Sequence, residues 1–118
     1  MSRSVLLQLA RDSIAEVLEA QRTIDRAALL QAHPLLGEPL HVTLNLYLNH
    51  KLRGSSSSED SCVSLLEGIV KNAKRAAFED KNFKPLSTSE YLDCEVEIVL
   101  DTPDGIISQR DKSILSKH

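Results

Sequence analysis

Leu40-His41-Val42-Thr43-Leu44-Asn45-Leu46-Tyr47-Leu48 alternates apolar and polar side chains without a break. A β-strand turns successive side chains to opposite faces, so this period of two predicts a strand with one buried and one polar face. Asn49-His50 follows as a tight turn without the usual glycine, and Lys51-Leu52-Arg53 opens a returning strand, which makes a hairpin. A second alternation runs from Asp93 to Asp101, with Cys94, Val96, Ile98 and Leu100 on one side and Glu95, Glu97, Val99 and Asp101 on the other. If the two strands share a sheet, His41, Thr43, Asn45 and Tyr47 lie on the same face as Glu95 and Glu97. Thr102 to Gly105 turns the chain, Ile106-Ile107 is expected to add a short strand, and Ser108 to His118 reads as a loose tail. The domain is therefore expected to span residues 1–107, with the tail at 108–118.

The rest of the chain is helical or connecting. Ser4 caps a helix running to about Ala20, whose wide apolar face carries Leu6, Leu7, Leu9, Ala10, Ile14, Val17 and Leu18. Thr23 is expected to cap a short second helix, which Pro34 ends by disfavouring the α region for the residue before it. Gly54 and the four serines Ser55 to Ser58 read as a flexible polar loop. Glu59, Asp60 and Ser61 then supply acids and a capping hydroxyl for a helix from Cys62 to about Asp80. On that helix, Lys71, Lys74 and Arg75 are expected to pair with Glu67 and Glu79 on a solvated face. Phe83 and Leu86 anchor a loop, and Ser87 to Leu92 forms a short capped turn. The resulting fold class is α+β, an antiparallel sheet with helices packed on one face.

Composition narrows the function classes. The 118 residues are 42% hydrophobic and 26% charged, which suits one compact domain. A net charge of -3, with acids and bases mixed, gives no basic patch for a phosphate backbone, so no nucleic acid is expected. Aromatic residues make up 3% and there is no Trp, too few for base-stacking platforms. No apolar run has the length to cross a bilayer, so no membrane association is expected. Two cysteines, Cys62 and Cys94, form neither a disulfide framework nor a zinc motif, and the absence of an export signal points to a cytoplasmic protein with reduced thiols. His33, His41, His50 and His118 have no paired metal spacing, so neither a metal nor any other cofactor is expected.

Three stretches, taken in order, resemble the AMMECR domain family, whose bacterial members are called AmmeMemoRadiSam system protein A. The first is Leu6-Leu7-Gln8-Leu9-Ala10-Arg11 with Ile14. The second is Val42-Thr43-Leu44 followed by Leu52-Arg53-Gly54, similar to a family strand, turn and Leu-Arg-Gly-Cys-Ile-Gly motif. The third runs through Asn72-Ala73, Ala76-Ala77-Phe78, Asp80, Phe83, Pro85-Leu86 and Glu90 to Glu95-Val96-Glu97-Ile98 and Thr102-Pro103. From Leu52 to Pro103 the pattern fits without a gap. Family members continue well past the position of Pro103, so the resemblance implies a short branch of the family or a fragment of it. It also departs at the motif, where Ser55 stands in place of the cysteine and Ser56 and Ser57 replace Ile and Gly. A serine hydroxyl needs a base beside it to act as a nucleophile, for which Glu59 and Asp60 are the near neighbours.

Two candidate sites follow. At Arg53-Gly54-Ser55 a guanidinium and loop amides are placed to hold an acidic ligand at a strand end, the alternative being a surface loop. On the polar sheet face, the His41 imidazole and the Glu95 and Glu97 carboxylates, with the donors and acceptors beside them, are enough to line a pocket, the alternative being a solvated face. Cys94 alternates with core residues and is expected to be core itself. Three functional readings stand. One is a non-catalytic accessory or binding module. The resemblance implies a Memo-like or radical S-adenosylmethionine protein as its partner, and any radical chemistry would lie with that partner because this chain has no cluster-binding cysteine set. Another is an enzyme, or enzyme subunit, using Arg53, Ser55 and Glu97 on a small acidic or acyl substrate, which requires those side chains to converge. The last is a homodimer completed across an exposed sheet edge or face.

Overall fold

The computed structural model describes residues 4–58 and 64–112. Helix α1 spans Val5–Glu19 and begins as expected, with Ser4 Oγ accepting from the Leu7 amide at 3.2 Å. Helix α2 is Arg26–Ala32, and its cap is Asp25 rather than Thr23. The Thr23 amide is instead taken, together with that of Ile24, by the Glu16 carboxylate, at 2.7 and 3.0 Å. A 3-10 turn over Pro34–Gly37 leads into β1, His41–Leu48, and then β2, Lys51–Ser57. Helix α3 covers Leu65–Phe78, capped by Ser64, and the short α4 covers Thr88–Asp93. Strands β3, Glu95–Thr102, and β4, Gly105–Asp111, complete the chain order. The expected helix start at Ser61-Cys62 lies outside the described residues.

The four strands form one antiparallel sheet in the order β2-β1-β3-β4, with α3 across β1 and β2 and α1 against α3 and β3. The alternations decide which side faces the helices. Val42, Leu44 and Leu46 of β1 and Val96, Ile98 and Leu100 of β3, with Cys94 just ahead of β3, are buried against Leu7, Ile14, Leu66, Ile69 and their neighbours. A fully buried aliphatic side chain contributes about 1.5–3 kcal/mol, so these two faces carry the fold. Burial pushes the Cys94 thiol up, against the pull of the Arg11 guanidinium, which keeps it an inert core residue. The opposite face of the sheet is covered by no described element.

The hairpin between β1 and β2 turns on Asn49 and His50, with φ of 53° and 66°. Positive φ at both central residues is the turn geometry that matches strand twist, reached here without glycine.

Two expectations are overturned at the sheet edges. The serine run is not a flexible loop: β2 continues through Ser57, because each hydroxyl finds a partner. Ser55 Oγ donates to Asn45 Oδ1 at 2.7 Å, Ser56 Oγ donates to Asn72 Oδ1 at 2.6 Å, and the Ser57 hydroxyl lies 2.9 Å from that of Thr43. Gly54 permits the approach of α3, since a Cβ there would sit 2.0 Å from the Ala76 carbonyl oxygen. Nor does the tail begin at Ser108, because β4 pairs with β3 as far as Asp111 opposite Val96. The reason is a buried guanidinium. Arg11 is 1% exposed and donates to Asp111 Oδ2 at 2.6 Å, to the carbonyls of Cys94 and Lys112 at 2.9 Å each, and to that of Tyr91 at 3.2 Å. A buried charge needs that full set of partners. The remainder of the expected tail, residues 113–118, lies outside the described residues.

The cationic face of α3 is also differently paired. Lys74 reaches Glu16 of α1 at 3.1 Å, and Glu67 is held by Arg26 of α2 at 2.7 Å, so these ion pairs link helices rather than turns of one helix. For Glu16, burial alone raises the pKa, but the amides of Ile24 and Thr23 and the Lys74 ammonium outweigh it and hold the carboxyl below its ordinary value.

Candidate functional site

The residues singled out from sequence divide between the two sides of the sheet. Arg53 sits at a β-bulge, where the register of β2 against β1 shifts between Leu46 and Tyr47. A bulge re-aims a side chain, and Arg53 turns into the helix layer and is buried there. Its Nε and Nη2 donate to the two oxygens of Glu90 at 3.0 and 3.1 Å, and Nη2 also donates to the Lys84 carbonyl at 2.7 Å. The guanidinium lies 5.3 Å from the centre of the Phe83 ring, and Nη1 is buried without a hydrogen-bond partner among the described residues. Glu90 is in turn fixed by the capping box of α4, closed with Ser87. The Arg53 bond holds the Glu90 carboxyl below its ordinary range, ahead of a burial effect in the other direction. The charge expected to greet an acidic ligand is thus already matched by an internal carboxylate.

Ser55 and Glu97 lie on the open face, two strands apart, and Asn45 on the strand between them joins them. Asn45 stands opposite Ser55 on one side and Glu97 on the other. It accepts from Ser55 Oγ at 2.7 Å and donates from Nδ2 to Glu97 Oε1 at 3.0 Å. Tyr47 OH donates to the same Glu97 oxygen at 3.0 Å. Burial pushes the Tyr47 phenol up, and its bond to Glu97 adds to that. Above the Tyr47 ring, at 4.4 Å, lies Arg110, which also pairs with Glu95 at 2.9 Å. The network is a line of fixed donors and acceptors from β2 to β4. It carries no proton from Ser55 to Glu97, because the amide between them does not ionise. Glu59 and Asp60, considered as bases for Ser55, lie outside the described residues.

His41 stands apart. It pairs with Asp101 at the far end of β1 and lines a shallow hollow with Thr43, Val99 and Ile106. Four residues along a strand separate it from Asn45, about 13 Å. Arg53, Ser55, Glu97 and His41 therefore do not converge: Ser55 and Glu97 share one network, while Arg53 and His41 lie outside it. Among the described residues, no three His, Cys, Asp or Glu side chains gather as a metal would require. No helix there is long and apolar enough to cross a membrane.

Neither Arg110 nor Arg11 is among the candidate site residues that the sequence offers. Arg110 fell in the expected tail. Arg11 was legible, because it shares a helical stripe with Leu7, Ile14 and Leu18, and a charge on an apolar stripe calls for a buried partner.

The AMMECR1 family model matches residues 7–116. No significant match is found among curated proteins. Among solved structures, the crystal structure of uncharacterized protein PH0010 from Pyrococcus horikoshii is similar, at 28% identity and a TM-score of 0.73. The likeness covers 83% of this chain and 50% of that one, so it spans about half the length of its structural relative.

Proposed function

This chain belongs to the AMMECR1 family, and we propose that it acts as a non-catalytic binding module that holds a partner protein on the open face of its sheet. The observation that carries this reading is the ordered line Ser55–Asn45–Glu97–Tyr47, extended by Arg110 over the Tyr47 ring, on a face that no described element covers. Tyr and Arg held rigid at low entropic cost are the residue types that anchor protein interfaces. The same geometry weighs against the enzyme reading. Arg53 is engaged by Glu90 in the helix layer, and Ser55 donates to an amide rather than a base. A Memo-like or radical S-adenosylmethionine protein, the association implied by the family's system name, is the partner class to test first.

The test is binding of the purified chain to each partner, measured by calorimetry. Tyr47→Ala and Arg110→Ala should each weaken binding at least about tenfold, roughly 1.4 kcal/mol, with thermal stability nearly unchanged. Binding that survives both changes, or no binding to either partner class, overturns the proposal.

A further inference from the structure

We propose that the hollow at the His41–Asp101 end of the open face receives a lysine side chain of the partner protein. This deepens the open-face reading and rests on it for the protein that carries the lysine. The sheet register assembles the hollow. His41 of β1 stands opposite Asp101 of β3, which stands opposite Ile106 of β4. Two residues along, Thr43 stands between Val99 on β3 and Ser57 on β2. Side chains two apart on a strand share a face, so all six belong to the open side. Together they line a hollow of about 360 Å³.

The lining suits an alkylammonium. Asp101 is its charged residue, and among the described residues no hydrogen bond or ion pair engages the Asp101 carboxylate or the His41 ring. The Arg110 guanidinium does not neutralise it. Arg110 stands opposite Glu97, about 13 Å along β3 from Asp101, and is held by Glu95 and the Tyr47 ring. In its neutral form the His41 imidazole adds one acceptor nitrogen. The Thr43 and Ser57 hydroxyls, 2.9 Å apart, bond to each other with acceptor lone pairs to spare. An ammonium has three donors and no acceptor, the complement of that set. Val99 and Ile106, the latter 75% exposed, supply apolar surface for the methylene stem. No Trp, Tyr or Phe lines the hollow to stack a guanidinium, so the point charge of lysine suits it better than the plane of arginine. The hollow is also shallow. A free ligand needs most of its surface buried, which an open hollow does not provide, whereas a side chain carried by a protein is covered from above by that protein.

Nuclear magnetic resonance titration of the full chain with Nα-acetyl-lysine methylamide tests this. Saturable shifts of the His41 ring and Ile106 methyl resonances are expected at millimolar concentration. Nα-acetyl-norleucine methylamide, with the same stem and no charge, should leave them unmoved. Asp101→Asn should weaken lysine binding about fivefold, the worth of a good exposed ion pair. Ile106→Ser should weaken it about threefold through lost cover of the stem. Asp101 and Ile106 are both exposed, so circular dichroism of both variants should remain native. The absence of a saturable shift, equal shifts with the norleucine derivative, or undiminished binding by Asp101→Asn each overturns the proposal. So does n-butylammonium that binds at least about tenfold more tightly than the lysine derivative, which would make a free amine the ligand. Tyr47→Ala, the variant that tests partner binding on this face, should leave the lysine titration unchanged, so failure of the face as a whole and failure of this hollow are told apart.

Discussion

The two outer strands of the sheet are held in the same way and finished in opposite ways. Each is fastened to the helix layer by a buried arginine paired with a carboxylate: Arg53 of β2 with Glu90, and Arg11 of α1 with Asp111 of β4. Beyond that the edges diverge. β2 is bulged at Arg53, closed down by Gly54 against α3, and its Ser55 amide donates to Asp80 Oδ2 at 3.1 Å. β4 runs straight, presents two exposed isoleucines, and between Ile106 and Arg110 no side chain of the described residues bonds its outer backbone. A fastening fixes where a strand lies. Whether the strand can accept another depends on what meets its outer backbone.

The largest expected effect tests the fastenings. Arg11→Ala should cost about 4 kcal/mol, since it strips three carbonyls and a partly buried carboxylate of their donor. Arg53→Ala should cost less, about 2 kcal/mol, because Glu90 retains contact with water and is also held by Ser87. Urea denaturation of both variants checks the order, and equal costs would mean that the two fastenings do not differ as their burial suggests. Gly54→Ala falls between them, at about 3 kcal/mol, because the added methyl meets backbone rather than a movable side chain.

The β2 fastening should also be acid-sensitive. Glu90 has a folded-state pKa below its unfolded value, so its contribution is present above the ordinary carboxylate pKa, about 4.3, and is lost as pH falls through the lower folded value. The stability gap between wild type and Glu90→Gln should therefore close as pH drops below about 4. A gap that persists unchanged into strong acid would show that Glu90 acts through packing rather than charge. The smallest effect lies in the turn that ties β2 to β1. His50→Gly should stabilise by about 0.5 kcal/mol by relieving a positive φ, visible as a small rise in Tm.

Both strands with strict alternation were legible residue by residue, and so was their shared polar face, because period-two burial is written into the order of the side chains. The serine run was not. Polar and glycine-led, it reads locally as a loop and becomes a strand only because Asn45, Asn72 and Thr43 stand where its hydroxyls arrive. β4 was cut short for the same reason: nothing local in Ser108 to Asp111 announces a strand, and its partner Arg11 lies a hundred residues earlier.

The sequence by itself determined the fold class, the core faces of β1 and β3, the main helices and the family. Each of these rests on a repeating pattern of side chains within one segment. Only the tertiary structure decided that Arg53 points into the helix layer while Ser55 and Glu97 stay on the open face. It also decided that the chain continues as β4, the outer strand among the described residues, as far as Asp111. The side a bulged residue takes, and the partner a buried charge finds, depend on groups brought together from distant parts of the chain, and no local periodicity encodes that meeting.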